Sequence, residues 1–455
     1  MSVLLKRKRE INPLVVLPAS KSISNRALII NALSGAGVVP GNVSDCDDTR
    51  VMVRALAGLN SSGEAQHSTG CGQETTAGCV HNAPVGTDVV DIMAAGTAMR
   101  FLTAFFSVTD GERILTGTER MRHRPIAILV DALRQLGADI SYEGEEGFPP
   151  LRIRGRKLSG GEVSLAGNVS SQYISAMLMI GPVMKDGLTL TLTGGVVSRP
   201  YIDMTLGIMR TFGAKASFEG NVIKVEPTGY KAVPYYIEND WSASSYWYEM
   251  VALTPDSTVC LPGLFGESLQ GDQGVKDIFA KLGVQTVFET SGGGAEDADQ
   301  VSGGRCATTD ARQCVRLMHT GERVERLDID MLRVPDLAQT VVVTCAMLGV
   351  PFRITGLQSL KIKETDRIAA LRTELGKLGY AIGEENDSVL FWDGERCEKA
   401  EDASIDTYED HRMAMSFAPC CQTLGEVVIN NPEVVSKSYP GFWDDFAAPL
   451  TPEGE

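Results

Sequence analysis

The sequence predicts an α/β protein of two domains: its length outgrows one core, a helix-to-strand connection recurs four times, and cations sit where strands run into helices. A chain of 455 residues with 43% hydrophobic and 22% charged residues buries more than one ordinary core, so it divides. The recurring connection is a helix that ends in Leu-Gly or Phe-Gly and passes at once into a strand. It occurs at Leu136-Gly137-Ala138, Phe212-Gly213-Ala214, Leu282-Gly283-Val284 and Leu378-Gly379-Tyr380. Glycine suits the left-handed residue that closes a helix, and repetition at broadly similar spacing points to an internally repeated α/β architecture.

Taken along the chain, the apolar run 14–17 reads as a strand, and the helix after it opens with Ser20-Lys21-Ser22-Ile23-Ser24-Asn25-Arg26. Lysine at a helix start runs against the helix dipole, whereas unpaired N–H groups with Lys and Arg beside them form an anion site. Ala95-Gly96-Thr97-Ala98-Met99-Arg100 opens a second helix through a turn of small residues that permits close backbone approach. Arg120-Met121-Arg122-His123-Arg124-Pro125 sets three guanidinium groups and a His in front of a helix over 126–136, and such forks bind carboxylate and phosphate. Gly167-Asn168-Val169-Ser170-Ser171-Gln172-Tyr173 is rich in donors and opens the apolar stretch 174–180; plain N-capping accounts for it equally well.

Further on, the strand-like 232–237 leads into Glu238-Asn239-Asp240-Trp241-Ser242 and a helix starting near Ala243, where a domain crossover fits. Lys363-Glu364-Thr365-Asp366-Arg367 opens a helix over 368–378, and Asp410-His411-Arg412 opens another over 413–418. Segments 60–86 and 291–304, rich in Gly, Ser, Thr and acids, read as surface loops. Asp330 and Glu364 are the leading acid/base candidates, each beside a helix entrance or strand end. His411 stands at a helix start, where the pKa of an imidazole falls and a neutral donor becomes available.

Composition excludes several classes. With 42 basic and 58 acidic residues the net charge is −16, which disfavours nucleic acid and anionic membranes as partners. Against that background the clustered cations imply a substrate carrying several negative charges. Ten cysteines without a CxxC pair indicate neither metal spacing nor a disulfide framework, so a reduced, cytoplasmic protein is expected. Residues 1–10 are basic without the apolar core of a signal peptide, and no apolar run approaches the ~20 residues of a membrane helix. No GxxxxGK[ST], HExxH or strand-borne GxGxxG is present, so no metal and no bound cofactor are expected.

Together these segments resemble the 5-enolpyruvylshikimate-3-phosphate synthase family over nearly the whole chain. The resemblance rests on Leu17-Pro18-Ala19-Ser20-Lys21-Ser22 with Ser24-Asn25-Arg26, the run from Ala95 to Arg100, the run from Arg120 to Pro125, and Val169 to Gln172. It extends through Ser198-Arg199-Pro200-Tyr201, Lys363 to Arg367, Asp410-His411-Arg412-Met413-Ala414-Met415 and Ser436-Lys437-Ser438-Tyr439-Pro440. It implies two domains, each an inside-out α/β barrel of three βαβαββ repeats, with the active site in the cleft between them. One domain would span 20–240 and the other 1–19 plus 241–455, in a monomeric protein.

The implied reaction moves the enolpyruvyl group of phosphoenolpyruvate to the 5-hydroxyl of shikimate 3-phosphate through a tetrahedral ketal, on the route to chorismate. By the resemblance, Lys21, Ser22, Arg26, Ser170, Ser171, Gln172, Ser198, Tyr201, Asp330 and Lys363 hold shikimate 3-phosphate. Lys21, Gly96, Arg124, Gln172, Arg367, His411, Arg412 and Lys437 hold phosphoenolpyruvate. Asp330 would take the hydroxyl proton and Glu364 handle the methylene proton, with Lys363 as donor and Lys21 beside both substrates. Ala94, Phe101, Ser359 and Arg199 depart from the family's usual residues, which bears on fine positioning and glyphosate sensitivity rather than on the reaction. Two rivals stand beside this reading: the sister enzyme acting on a UDP-linked amino sugar, and a non-catalytic binder of phosphorylated metabolites.

Overall fold

The computed structural model describes residues 1–35, 39–57, 88–197, 199–290 and 313–447. The expected loops 60–86 and 291–304, and Ser198, lie outside the described residues. Three four-stranded sheets share one pattern, in which the first two strands run parallel and the third and fourth form a hairpin against the second. They comprise Asp88–Asp91, Gly111–Thr116, Asp139–Tyr142 and Leu151–Gly155; then Gly161–Ala166, Leu188–Thr193, Ala216–Glu219 and Val222–Val225. The third comprises Leu327–Asp330, Phe352–Thr355, Gly383–Glu385 and Val389–Trp392. A fourth sheet, of Thr258–Pro262, Val284–Thr290 and Gln313–His319, keeps the hairpin part. A fifth joins Ser2–Lys6, Glu426–Asn430 and Ser404–Ile405 by one antiparallel and one parallel pairing.

Each parallel pair needs a crossover, and helices supply it. Gly96–Val108, Ser171–Ile180, Ala338–Leu348 and His411–Phe417 leave the C-terminal end of the first strand and return to the start of the second. These helices are apolar nearly all round and accordingly buried on nearly every side. Lys21–Leu33 and Trp241–Ala252 are buried in the same way. Ala127–Gln135, Arg199–Thr211, Val275–Ala280 and Arg367–Lys377 lead into the hairpins. All four end as expected: Gly137, Gly213, Gly283 and Gly379 have φ of +97°, +84°, +88° and +90°.

The buried side chains form two cores. One gathers residues between Ala19 and Ile237, the other Leu5 to Leu17 with Trp241 to Phe446. The chain passes between them twice, and the two passages hydrogen-bond to each other: Ser20 N–H donates to Glu238 O at 2.9 Å and Asp240 N–H to Pro18 O at 2.9 Å.

Two expected strands are reduced to single bridges. Residues 14–17 contribute only Leu14 against Cys260, and 232–237 only Tyr236 against Gly41. Proline at 13, 18 and 234 removes the N–H groups that a continuing ladder requires. The Leu14 bridge is parallel and occupies the place of the missing first strand in the fourth sheet. Helices also begin earlier than their apolar runs, at Ser171, Trp241 and His411, because capping side chains extend them into polar sequence. A disulfide between Cys260 and Cys314, Cα atoms 6.3 Å apart on neighbouring strands, corrects the expected fully reduced state. Its 54-residue separation gave no spacing signal. Among the described residues no helix is long and apolar enough to cross a membrane.

A Cβ at Gly137 would meet nothing within 4 Å, so its positive φ alone is at stake there. Gly137→Ala is expected to cost about 1–2 kcal/mol, measured as a lower urea midpoint at unchanged m-value. An unaltered midpoint would remove the backbone reason for glycine at these connections.

Candidate active site

The buried helices bring their first turns together, and the charged residues of those turns form one cluster. Ser20 caps Lys21–Leu33 by accepting from Ile23 N–H, and Lys21 N–H donates to Asp240 Oδ2 at 3.3 Å. Asp240 in turn caps Trp241–Ala252 through Ala243 N–H. Lys21 Nζ lies 3.3 Å from Asp48 and 3.4 Å from the carbonyl of Lys437. Burial opposes its charge, but Asp48, with a smaller contribution from Glu364, raises its pKa above the ordinary lysine value.

Arg367 is the centre of the cluster, with its side chain 2% exposed. Its Nε donates to Asp410 at 2.7 Å, Nη1 to Asp336 at 3.0 Å and Nη2 to Glu364 at 2.8 Å. Asp410 caps His411–Phe417 by accepting from Arg412 N–H. Asp336 sits in the turn Pro335–Leu337 before Ala338–Leu348. Besides Arg367 it faces Lys363 Nζ at 3.4 Å and Arg412 Nη2 at 3.4 Å, and accepts from the Tyr201 hydroxyl at 2.8 Å. Burial disfavours its charge, yet Arg412, Lys363 and Arg367 hold it well below the usual carboxylate range. Glu364 is likewise held low, burial being outweighed chiefly by Arg367.

His411 is buried, its Nδ1 without a hydrogen-bond partner among the described residues and 3.8 Å from Asp410. Burial, then Lys21 and Arg412, push its pKa well below 6.5, leaving a neutral imidazole as expected. Asp272, under a hydroxyl bond from Ser242, is pushed up to about 7 by burial and by Asp336.

A second set of cations has no carboxylate within ion-pair distance among the described residues: Arg26, Arg100, Arg124 and Lys437. Arg26 rests on hydroxyls and a carbonyl, with Nε to Thr205 at 2.7 Å, Nη1 to Ser22 O at 2.8 Å and Nη2 to Ser175 at 3.2 Å. Burial lowers its pKa to about 10, and burial with neighbouring Arg124 does the same for Arg100. A buried cation without a counter-ion is costly, so these positions favour arriving anions. A Cβ at Gly96 would meet Arg124 Nη1 at 2.6 Å and Arg100 Nη1 at 2.8 Å, the mobile tips of both side chains, so alanine there would displace the two guanidinium groups. Ser170 caps the Ser171–Ile180 helix through Gln172 N–H, and Gln172 Nε2 reaches Thr97 at 3.0 Å. Ser22 and Ser171 are half-buried at the first turns of their helices. Lys437 Nζ donates to Glu409 O at 3.1 Å.

Asp330 is not among these residues. It ends its strand exposed, with Oδ1 accepting from Leu332 N–H at 2.9 Å. The carboxylate that enters the cluster is Asp336, six residues later, which sequence reasoning missed together with Asp48 and Asp272, while Asp410 was legible only as part of a helix entrance. The available signal was Val334-Pro335-Asp336 ahead of an apolar run, a helix entrance like those already singled out.

An α/β fold whose helix entrances gather paired acids, beside cations that have no carboxylate partner among the described residues, suits an enzyme that handles small polyanions. The family profile described as EPSP synthase (3-phosphoshikimate 1-carboxyvinyltransferase) matches residues 5–446. A 3-phosphoshikimate 1-carboxyvinyltransferase of Bacteroides fragilis is 53% identical over 446 residues, covering 98% of this chain and 97% of that protein. One from a Marinomonas species is 36% identical over 438 residues, covering 95% of each. EPSP synthase from Acinetobacter baumannii matches in structure with a TM-score of 0.69 at 22% identity, over 98% of this chain and 97% of that one. The chain belongs to the EPSP synthase family, and the sister-enzyme reading is not favoured.

Two outcomes follow. Gly96→Ala is expected to raise the KM for an anionic substrate about tenfold by displacing Arg124 and Arg100; an unchanged KM would remove Gly96 from the site. His411 is neutral in the fold, so below about pH 6.5 the unfolded chain binds the extra proton. Stability is then lost as pH falls, by at most about 1.4 kcal/mol per pH unit. Urea unfolding at pH 7 and pH 5 should show a smaller loss for His411→Asn than for wild type; an equal loss would contradict the neutral imidazole.

Proposed function

We propose that this protein transfers the enolpyruvyl group of phosphoenolpyruvate to the 5-hydroxyl of shikimate 3-phosphate, releasing phosphate, as a transferase of aromatic amino acid biosynthesis. The observation that carries this reading is the pairing of two ionised carboxylates, Asp336 and Glu364, with Lys363 and Lys21 beside seats of unpaired cations. Anion binding alone gives no reason to bury acids there. Both substrates bring a phosphate and a carboxylate, and neither supplies its own counter-charge.

In this reading Ser22, Arg26, Ser170, Ser171, Gln172, Ser198 and Tyr201 hold shikimate 3-phosphate. Arg124 and Lys437, together with Gly96, Arg367, His411 and Arg412, hold phosphoenolpyruvate, and Lys21 reaches toward both. Lys363 donates a proton to the methylene carbon, making C2 electrophilic, while the substrate oxygen attacks C2 and its proton passes to Asp336. Glu364 then removes a proton from the new methyl group as the C2–O bond to phosphate breaks and the electron pair leaves with phosphate. Asp336 replaces Asp330 as the hydroxyl base because Asp336 faces Lys363, Arg367 and Arg412. Its low resting proton affinity rises when substrate anions neutralise those cations, bringing the base closer to working range.

The same reading divides the chain into 20–240 and 1–19 plus 241–455, each an inside-out α/β barrel of three βαβαββ repeats. The two cores and the strand order shared by three sheets support it. A cytoplasmic monomer acting on small soluble substrates, with no bound cofactor, belongs to the proposal.

Phosphate release with each substrate alone and with both tests the reading. Release should require both, Asp336→Asn should lower kcat by about a hundredfold or more, and Asp330→Asn should leave it near wild type. Binding without release would make the protein a metabolite binder, and loss confined to Asp330→Asn would return the base to that residue.

A further inference from the structure

Immediately before the Asp410 cap, Tyr408 and Glu409 have φ of +53° and +55°. Two consecutive left-handed residues that are neither Gly nor Asn/Asp are unfavourable, and such backbone persists where its surroundings over-determine it. The surroundings here are specific. Glu374, whose side chain is 0% exposed, accepts from the Tyr408 hydroxyl at Oε1 and from Asp406 N–H at Oε2, 3.1 Å. Lys377 Nζ lies 2.8 Å from Glu374 and 2.7 Å from Asp406, closing the ring of contacts.

Glu374 stands on the helix Arg367–Lys377, two turns after Arg367. That helix therefore grips the 406–410 segment at two points, Tyr408 through Glu374 and Asp410 through Arg367. Between them, the Glu409 carbonyl accepts from Lys437 Nζ at 3.1 Å. The Glu409 side chain pairs with Arg120, but both are largely exposed, and such pairs contribute little. The force that holds the turn comes from the buried side.

We infer that Glu374 and Tyr408 are positioning residues for phosphoenolpyruvate: they clamp the left-handed pair so that Glu409 O fixes Lys437 and the Asp410 cap presents His411 and Arg412. This rests on the proposed reaction, and the test separates the two. Tyr408→Phe, which removes one hydroxyl and leaves the buried Glu374 Oε1 without that donor, is expected to raise the KM for phosphoenolpyruvate about tenfold, leaving the KM for shikimate 3-phosphate near wild type. Glu409→Gly in the Tyr408→Phe background should recover part of the phosphoenolpyruvate KM, because glycine adopts the left-handed conformation unaided at one of the two positions. An unchanged phosphoenolpyruvate KM, an equal rise in both KM values, or absence of rescue overturns the clamp while wild type stays active. A wild type silent with both substrates overturns the reaction and the clamp with it.

Discussion

Everything at the centre of this protein depends on one guanidinium. Arg367 bonds Asp410, Asp336 and Glu364, which belong to three different helix entrances or the turns before them. Three carboxylates around one cation would repel one another without the further charges of Lys363, Arg412 and Lys21. Removing one partner from such a buried set costs about 3–5 kcal/mol, so the arrangement constrains folding and chemistry together. It explains why Asp336 and Glu364 remain ionised despite burial.

The architecture makes that concentration of charge affordable in structural terms. Helices buried along most of their lengths turn their charged first turns toward one another, so several entrances meet without exposing core. Capping carboxylates at Asp240 and Asp410 satisfy backbone N–H groups, and Asp410 also pairs with the Arg367 guanidinium. On the first core's side, Arg26 and Arg100 are cushioned by hydroxyls, a carbonyl and aromatic faces rather than by acids. Part of the site is neutralised internally, around Arg367, and part, at Arg26, Arg100, Arg124 and Lys437, is left electropositive. That division fits a reaction in which one set of groups orients proton carriers and the other attracts anions.

Much of this was legible in the residues. The four Gly residues after Leu or Phe marked real helix-to-strand connections, since only a left-handed residue makes that closure. Lys21, Arg367 and Arg412 stood out because cations at helix starts conflict with the dipole unless something else is served, and Glu364 and His411 stood out as titratable groups at the same entrances. The strands at 14–17 and 232–237 misled, because their apolar character is real while prolines remove the ladder. Asp330 drew attention as part of Asp328-Ile329-Asp330, a conspicuous pair that points to solvent, whereas Asp336 hides behind a proline in an otherwise apolar context. Its importance comes from four partners far away in sequence, Tyr201, Lys363, Arg367 and Arg412, and no local pattern announces them. The Cys260–Cys314 pairing was invisible for the same reason: strand register, not spacing, brings those residues together.

The central claim is that this charge cluster adds a proton to the methylene carbon of phosphoenolpyruvate and later takes one away. Turnover in D2O, followed by mass analysis of the enolpyruvyl product, tests it most directly, because the protons of Lys363 exchange with solvent. The account predicts deuterium in the product's vinyl methylene group. Product formed at a normal rate with no deuterium there would contradict transfer through a protonated, tetrahedral intermediate.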